Sequence, residues 1–149
     1  MVANVNPIYS RAWDLQNAGA IVGPSANTAT DGTGANTYLI YTADATEGGF
    51  VYKVIFKAVA SPAATCIRLW YCDDTGSFSA GTTNTAANTS MLAELTTALW
   101  TASNTLASPQ YEIPVMIGLP ASTKLLVTFG TSTGAAGNGF NPTVVAGKY

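Results

Sequence analysis

A chain of 149 residues with no histidine, 9% charged residues and a net charge of −2 has little with which to run acid–base chemistry near neutral pH. Its six Lys/Arg are never adjacent to one another, which excludes the clustered basic footprint that nucleic acid requires. The length suits one domain burying roughly two-thirds of its unfolded surface, and three Trp, seven Tyr and five Phe argue against disorder.

The N-terminus has no basic-then-apolar signal pattern. No apolar run approaches the roughly 20 residues that span a bilayer. The expectation is a protein made in the cytoplasm with no membrane partner. Residues 1–18 read as an extended arm carrying Asn4, Pro7, Tyr9, Arg11 and Trp13, followed by a single β-sandwich domain over 19–149. A Trp on a free arm is wasteful, so Trp13 is expected to pack on a neighbour or back on the domain.

Period-2 alternation between Gly/Asn/Thr-rich breaks predicts short strands. The first covers 20–22, running on toward 28. Asp31-Gly32-Thr33-Gly34 follows as a turn, since phosphate cradling would need a Lys and a helix after it. A strand over 37–42 leads to Asp44 and Glu47, which flank a solvated turn rather than a Ca²⁺ site. The clearest strand is 49–60: Phe50, Tyr52, Val54 and Phe56 share one face, predicted to enter the core, and Lys53 and Lys57 lie around Ile55 on the other.

Ser61-Pro62-Ala63-Ala64 has hairpin length and leads into a strand over 65–72. Cys66 and Cys72 lie on one face of that strand about 20 Å apart, beyond disulfide reach. With no His and no second Cys pair they are expected to be small buried hydrophobes, with no metal site and no cofactor. The low-complexity stretch 73–90 contains Asp73, Asp74 and Phe78 and is long enough to suggest contact or display. Asp74-Thr75-Gly76 matches the D-T-G of aspartic proteases. That chemistry needs two carboxylates sharing a proton, and the turn reading is preferred. Asn88-Thr89-Ser90 matches a glycosylation acceptor, a chance match without secretion.

Residues 91–99 read as a strand, with a short helix over 90–100 as the rival: Met91, Leu92, Leu95 and Leu99 fit helical spacing, and Thr96 and Thr97 oppose it. Strands over 110–117 and 123–130 are joined by 118–122. Pro114 places the former at an edge or a bulge. A Gly-rich loop over 130–139 precedes a last strand over 142–146. Eight strands without a long helical pattern predict an all-β, two-sheet sandwich, and its low-charge, small-residue surface favours association.

Several stretches resemble the small β-sandwich decoration (cement) proteins of tailed-phage heads: Ala-Thr-Asp-Gly-Thr-Gly-Ala-Asn-Thr over 29–37, the aromatic alternation of 49–60, 65–70 with Arg68, Met-Leu-Ala-Glu-Leu over 91–95, Gln-Tyr-Glu-Ile-Pro over 110–114, and the Val-Val-Ala-Gly-Lys-Tyr ending. The resemblance implies a jelly-roll-like protomer, usually a homotrimer, on the outer capsid surface of the virion over junctions between major capsid proteins, and no enzyme. On that reading the arm (Asn4, Pro7, Tyr9, Arg11, Trp13) and the loop around Asp73, Asp74 and Phe78 are the expected contacts with capsid or neighbouring subunit. Two alternatives stay open: a phage tail or baseplate component, and a carbohydrate-binding module, which would need Trp70, Tyr71 or Trp100 exposed on a flat face.

Overall fold

The structure, a computed structural model, describes residues 12–149. Asn4, Pro7, Tyr9 and Arg11 lie outside the described residues. The described residues form nine strands and no helix: β1 (Ala12–Asn17), β2 (Ile21–Val22), β3 (Tyr38–Thr42), β4 (Gly49–Val59), β5 (Thr65–Cys72), β6 (Thr89–Thr97), β7 (Gln110–Leu119), β8 (Lys124–Phe129) and β9 (Gly139–Lys148). They make two antiparallel sheets. Sheet A has the order β1-β9-β4-β7, with β2 also on β9, and sheet B has the order β3-β8-β5-β6.

Residues 12–17, read above as part of the arm, are therefore an edge strand. β1 meets β9 as far as Asn17↔Thr143 and β2 resumes at Ile21↔Phe140. The break holds Gly19 at φ 81, a conformation that glycine adopts without steric cost. With β1 and β2 taken as one interrupted strand, eight strands fill two four-stranded sheets in the order of a jelly roll.

That topology corrects the two expected hairpins. β4 and β5 lie in different sheets, and so do β7 and β8, so 61–64 and 120–123 arch across the sandwich. Each exit carries a non-glycine residue at positive φ, Ala60 at 52° and Ser122 at 63°. Such a residue turns the chain sharply away from its own sheet. Among consecutive strands from β2 onward only β5 and β6 pair, and the long 73–88 loop joins them.

The core lies between the sheets. Val51, Val54, Phe56 and Ala58 of β4 meet Ile67 and Leu69 of β5 and Leu125, Val127 and Phe129 of β8. The Phe129 and Phe140 rings stack across the gap at 6.0 Å. The inward face of β4 is thus half of what alternation predicts. Val51 pairs Ala146 and Lys53 pairs Val145, leaving Tyr52 as an extra residue. This bulge shifts the phase: Val54 and Phe56 point in, and Phe50 and Tyr52 point out. β7 bulges opposite it, where Met116 has φ 53, and Pro114 sits on this edge strand. The rival helix over 90–100 is absent, because β6 pairs with β5 from Thr97 to Thr89 with one bulge at Leu92.

Candidate functional site

With the core between the sheets, chemistry or binding must use an outer face or an end. The outer face of sheet B receives Cys66, Arg68, Trp70 and Cys72 from β5 and Lys124, Leu126 and Thr128 from β8. Residues 23–37 and 73–88 cover it. Trp70, Cys72 and Leu126 form a second apolar cluster, against which Leu39 and Phe78 pack, and the Trp70 indole donates to Thr128 Oγ1 at 2.9 Å.

Carboxamides tie the cover down. Asn84, fully buried, donates to the Gly32 carbonyl at 2.7 Å, the Gly34 carbonyl at 3.2 Å and Thr37 Oγ1 at 3.1 Å. Arg68 reaches from the sheet to the Asn27 carbonyl at 3.1 Å and to Glu94 at 2.8 Å. Lys124 is buried with its ammonium donating to the Asp74 and Ser122 carbonyls and 3.6 Å from the Asp74 carboxylate. Gly76 N–H also donates to Asp74 Oδ1 at 2.9 Å. Asp74 is therefore an anchor of the cover, Phe78 is part of the second cluster, and Asp73 alone of the three is exposed.

The outer face of sheet A exposes large apolar side chains by contrast. Trp13, Leu15 and Met116 are 73%, 65% and 62% exposed. One row across the sheet reads Trp13, Gly147, Phe50, Gly118. The Tyr52 ring lies 5.6 Å from Trp13 and 5.0 Å from Phe50, and the Tyr149 hydroxyl covers Gly118. Farther along β4 the face turns polar: Lys53 pairs with Glu112 at 2.9 Å, and Lys57 donates to the Ser108 carbonyl at 2.7 Å.

The two ends of the sandwich differ in charge. At the end where β4 finishes, segments 60–64, 98–109 and 130–138 meet and contain no charged residue at all. The Trp100 backbone N–H donates to the Pro62 carbonyl at 3.1 Å, the Ala63 N–H to the Thr133 carbonyl at 2.9 Å, and the Ser61 N–H to Asn138 Oδ1 at 3.1 Å. Leu99 and Leu106 stand out from this end, 70% and 63% exposed. At the other end Asp44 accepts from the Thr46 and Glu47 N–H groups and from Lys148 at 3.1 Å, which together hold its carboxyl down to about 2.

Those expected contact residues that are described do not form one surface. Trp13 stands on the outer face of sheet A, whereas Asp74 and Phe78 belong to the cover of sheet B. The aromatics named for a flat sugar-binding face fail that role: Trp70 is buried, and Tyr71 and Trp100 pack against the core. Both cysteines are free, and burial pushes the Cys66 thiol up. Among the described residues no group of three His, Cys, Asp or Glu side chains is placed to hold a metal ion. The sequence reading placed Leu99 at the end of a strand and passed over Leu106, naming neither as an exposed contact, although an uncharged run from 98 to 109 was there to be seen. The chain matches no family model, no curated protein and no solved structure.

Proposed function

We propose that this is a virion structural protein: a capsid decoration, or cement, protein that binds the outer head surface as a homotrimer and stabilises contacts between major capsid proteins. The jelly-roll order of the strands is in keeping with the resemblance noted above. The observation that carries the reading is this end of the sandwich, where 60–64, 98–109 and 130–138 contain no charged residue of their own and expose Leu99 and Leu106, with Lys57 at the border on the Ser108 carbonyl. Interface cores are depleted of charge, because a charge must be desolvated on contact. A standard interface takes about 800 Å² from each partner, and repeated weak contacts on a shell gain strength from multivalency.

The test is co-sedimentation with expanded capsids. Leu99→Asp combined with Leu106→Asp places two charges at the centre of the proposed contact and is expected to weaken binding at least about tenfold. Both side chains are exposed, so thermal unfolding should be unchanged. Wild-type affinity in the double variant would remove this end from the contact. A monomer by light scattering, both free and on released shells, would remove the trimer.

A further inference from the structure

Asn138-Gly139 is the only Asn-Gly pair in the chain. It stands where the 130–138 loop enters β9, at the end of the sandwich proposed above as the capsid contact. We infer that Asn138 is a modification site: it deamidates spontaneously, at a rate set by the opening of β2, and so places a carboxylate among loops that contain no charged residue of their own. The effect on capsid binding rests on the reading above, whereas the modification itself does not.

Both residues are fixed by packing. A Cβ on Gly139 would collide with the Ile21 carbonyl oxygen, so only glycine fits there. Asn138 Oδ1 accepts the Ser61 N–H at 3.1 Å and ties 60–64 to 130–138. The fold thus imposes a chemically labile pair. With no side chain on Gly139, nothing hinders approach to its backbone nitrogen. That nitrogen, on losing its proton to base, attacks Asn138 Cγ. The Cγ–Nδ2 bond breaks, and ammonia leaves with a proton from water. A second water then opens the five-membered succinimide at either carbonyl, giving aspartate or isoaspartate. The net reaction consumes one water, releases one ammonia and leaves one new negative charge, with no oxidant, metal or enzyme.

The fold also sets the rate. Gly139 is buried between Val22 of β2 and Val59 of β4. The Asn138 carbonyl accepts from the Gly23 N–H at 2.7 Å and from the Thr133 hydroxyl at 2.8 Å. Ring closure must swing Asn138 Cγ onto Gly139 N, and these bonds, with that from Ser61, oppose the swing. The weak point is β2. It is two residues long, it pairs with β9 alone among the described strands, and Gly19 and Gly23, both at positive φ, flank it. A segment of this kind opens locally, without unfolding the sandwich. Its departure removes the Ile21 carbonyl and the Gly23 donor together. Asp31-Gly32 closes the same kind of ring, but from a carboxylate and with no change of mass after hydrolysis, so mass separates the two.

The experiment incubates the full chain at mildly alkaline pH, folded and in urea, and follows each asparagine by peptide mapping with mass spectrometry, which reads the gain of about one dalton. Folded protein is expected to convert at Asn138 before any other asparagine, and at least about tenfold more slowly than the unfolded chain. Thr133→Val, which removes one donor to the Asn138 carbonyl, should convert faster than wild type. No conversion of Asn138 in the folded protein, a folded rate equal to the unfolded one, or a Thr133→Val rate equal to that of wild type overturns the inference. Should Thr133→Val fail to fold, the wild-type rates in and out of urea still decide. Asn138→Asp stands for the product. It should bind expanded capsids at least about tenfold more weakly than wild type, with thermal unfolding little changed, since a carboxylate still accepts the Ser61 N–H. Equal capsid binding by Asn138→Asp and wild type removes the switch. Wild type that binds no capsid removes the capsid reading and leaves the modification standing on its masses.

Discussion

Sheet B carries Trp70 on its outer face at 1% exposure, and sheet A carries Trp13 on its outer face at 73%. Both residues sit in strands that alternate in and out, so local pattern does not separate them. What separates them is a layer of chain. Over sheet B, 23–37 and 73–88 fold down as a lid rich in Gly, Ala, Ser, Thr and Asn. Close approach is why those residues are there. Gly32 has φ +81, and a Cβ on it would fall 2.3 Å from Thr89 Cγ2 and 3.2 Å from the Trp70 ring. Asn27 and Asn84 then pair the carbonyls that such a loop would otherwise bury unsatisfied. Low charge thus accompanies a second core layer on one side of the molecule and exposed apolar side chains elsewhere.

The comparison is broken most directly at the covered face. Trp70→Ala should cost about 3–5 kcal/mol, the range for emptying a packed aromatic site, and should lower the urea midpoint accordingly. A loss under about 1 kcal/mol would mean that the lid is draped over the sheet and not packed on it. Asn84→Ala comes next. It strips the Gly32 and Gly34 carbonyls and the Gly81 N–H of a buried partner, at about 1–3 kcal/mol. Amide exchange should quicken in 27–37 and 73–88 and stay slow in β4 and β8. Equal acceleration in those strands would show lid and sandwich to be one cooperative unit.

The sandwich was legible because 49–60, 65–72 and 123–130 alternate strongly and lack helical spacing. The in–out assignment of Phe50 and Tyr52 was not, since a single bulged residue reverses a face and leaves no mark in composition. Strand partners were hidden for a related reason. A four-residue connection such as 61–64 serves a hairpin or an arch equally well, and Ala60 at positive φ is visible only in the fold. Asp74 and Phe78 stood out in the sequence as loop residues available for contact. Their capture by Lys124 and by the Trp70 cluster depends, for the former, on a contact 50 residues along the chain, beyond any local signal.

Acid tests the sheet A side. Hydrogen bonds from Thr46 and Glu47 N–H, then from Lys148, lower Asp44 from 3.8 to about 2. A lowered folded value means that the stabilisation is complete above the unfolded value and is lost as pH falls from about 4 toward 2. Lys148 is raised by the same contact, and Tyr41 is raised chiefly by burial, so their contributions hold below about pH 10 and fade above it. With no histidine to titrate between them, the urea midpoint should be flat from about pH 5 to about pH 8. Asp44→Asn should soften the acid limb. An unchanged limb would assign acid unfolding to other carboxylates, such as Glu112, which Lys53 also lowers.

The smallest effect is the most telling one. Trp13→Ala removes the same side chain as Trp70→Ala from the same kind of position, the outer face of a strand. Among the described residues Trp13 makes one ring contact, to Tyr52 at 5.6 Å, and it is 73% exposed. Its removal should cost less than about 1 kcal/mol, within the range of surface substitutions and a single aromatic pair. The difference between the two variants then reads chiefly what the lid contributes, together with the Thr128 hydrogen bond and the central place of β5 where β1 is an edge strand. If Trp13→Ala costs as much as Trp70→Ala, the outer face of sheet A is covered in solution. Both faces of the sandwich would then be interior.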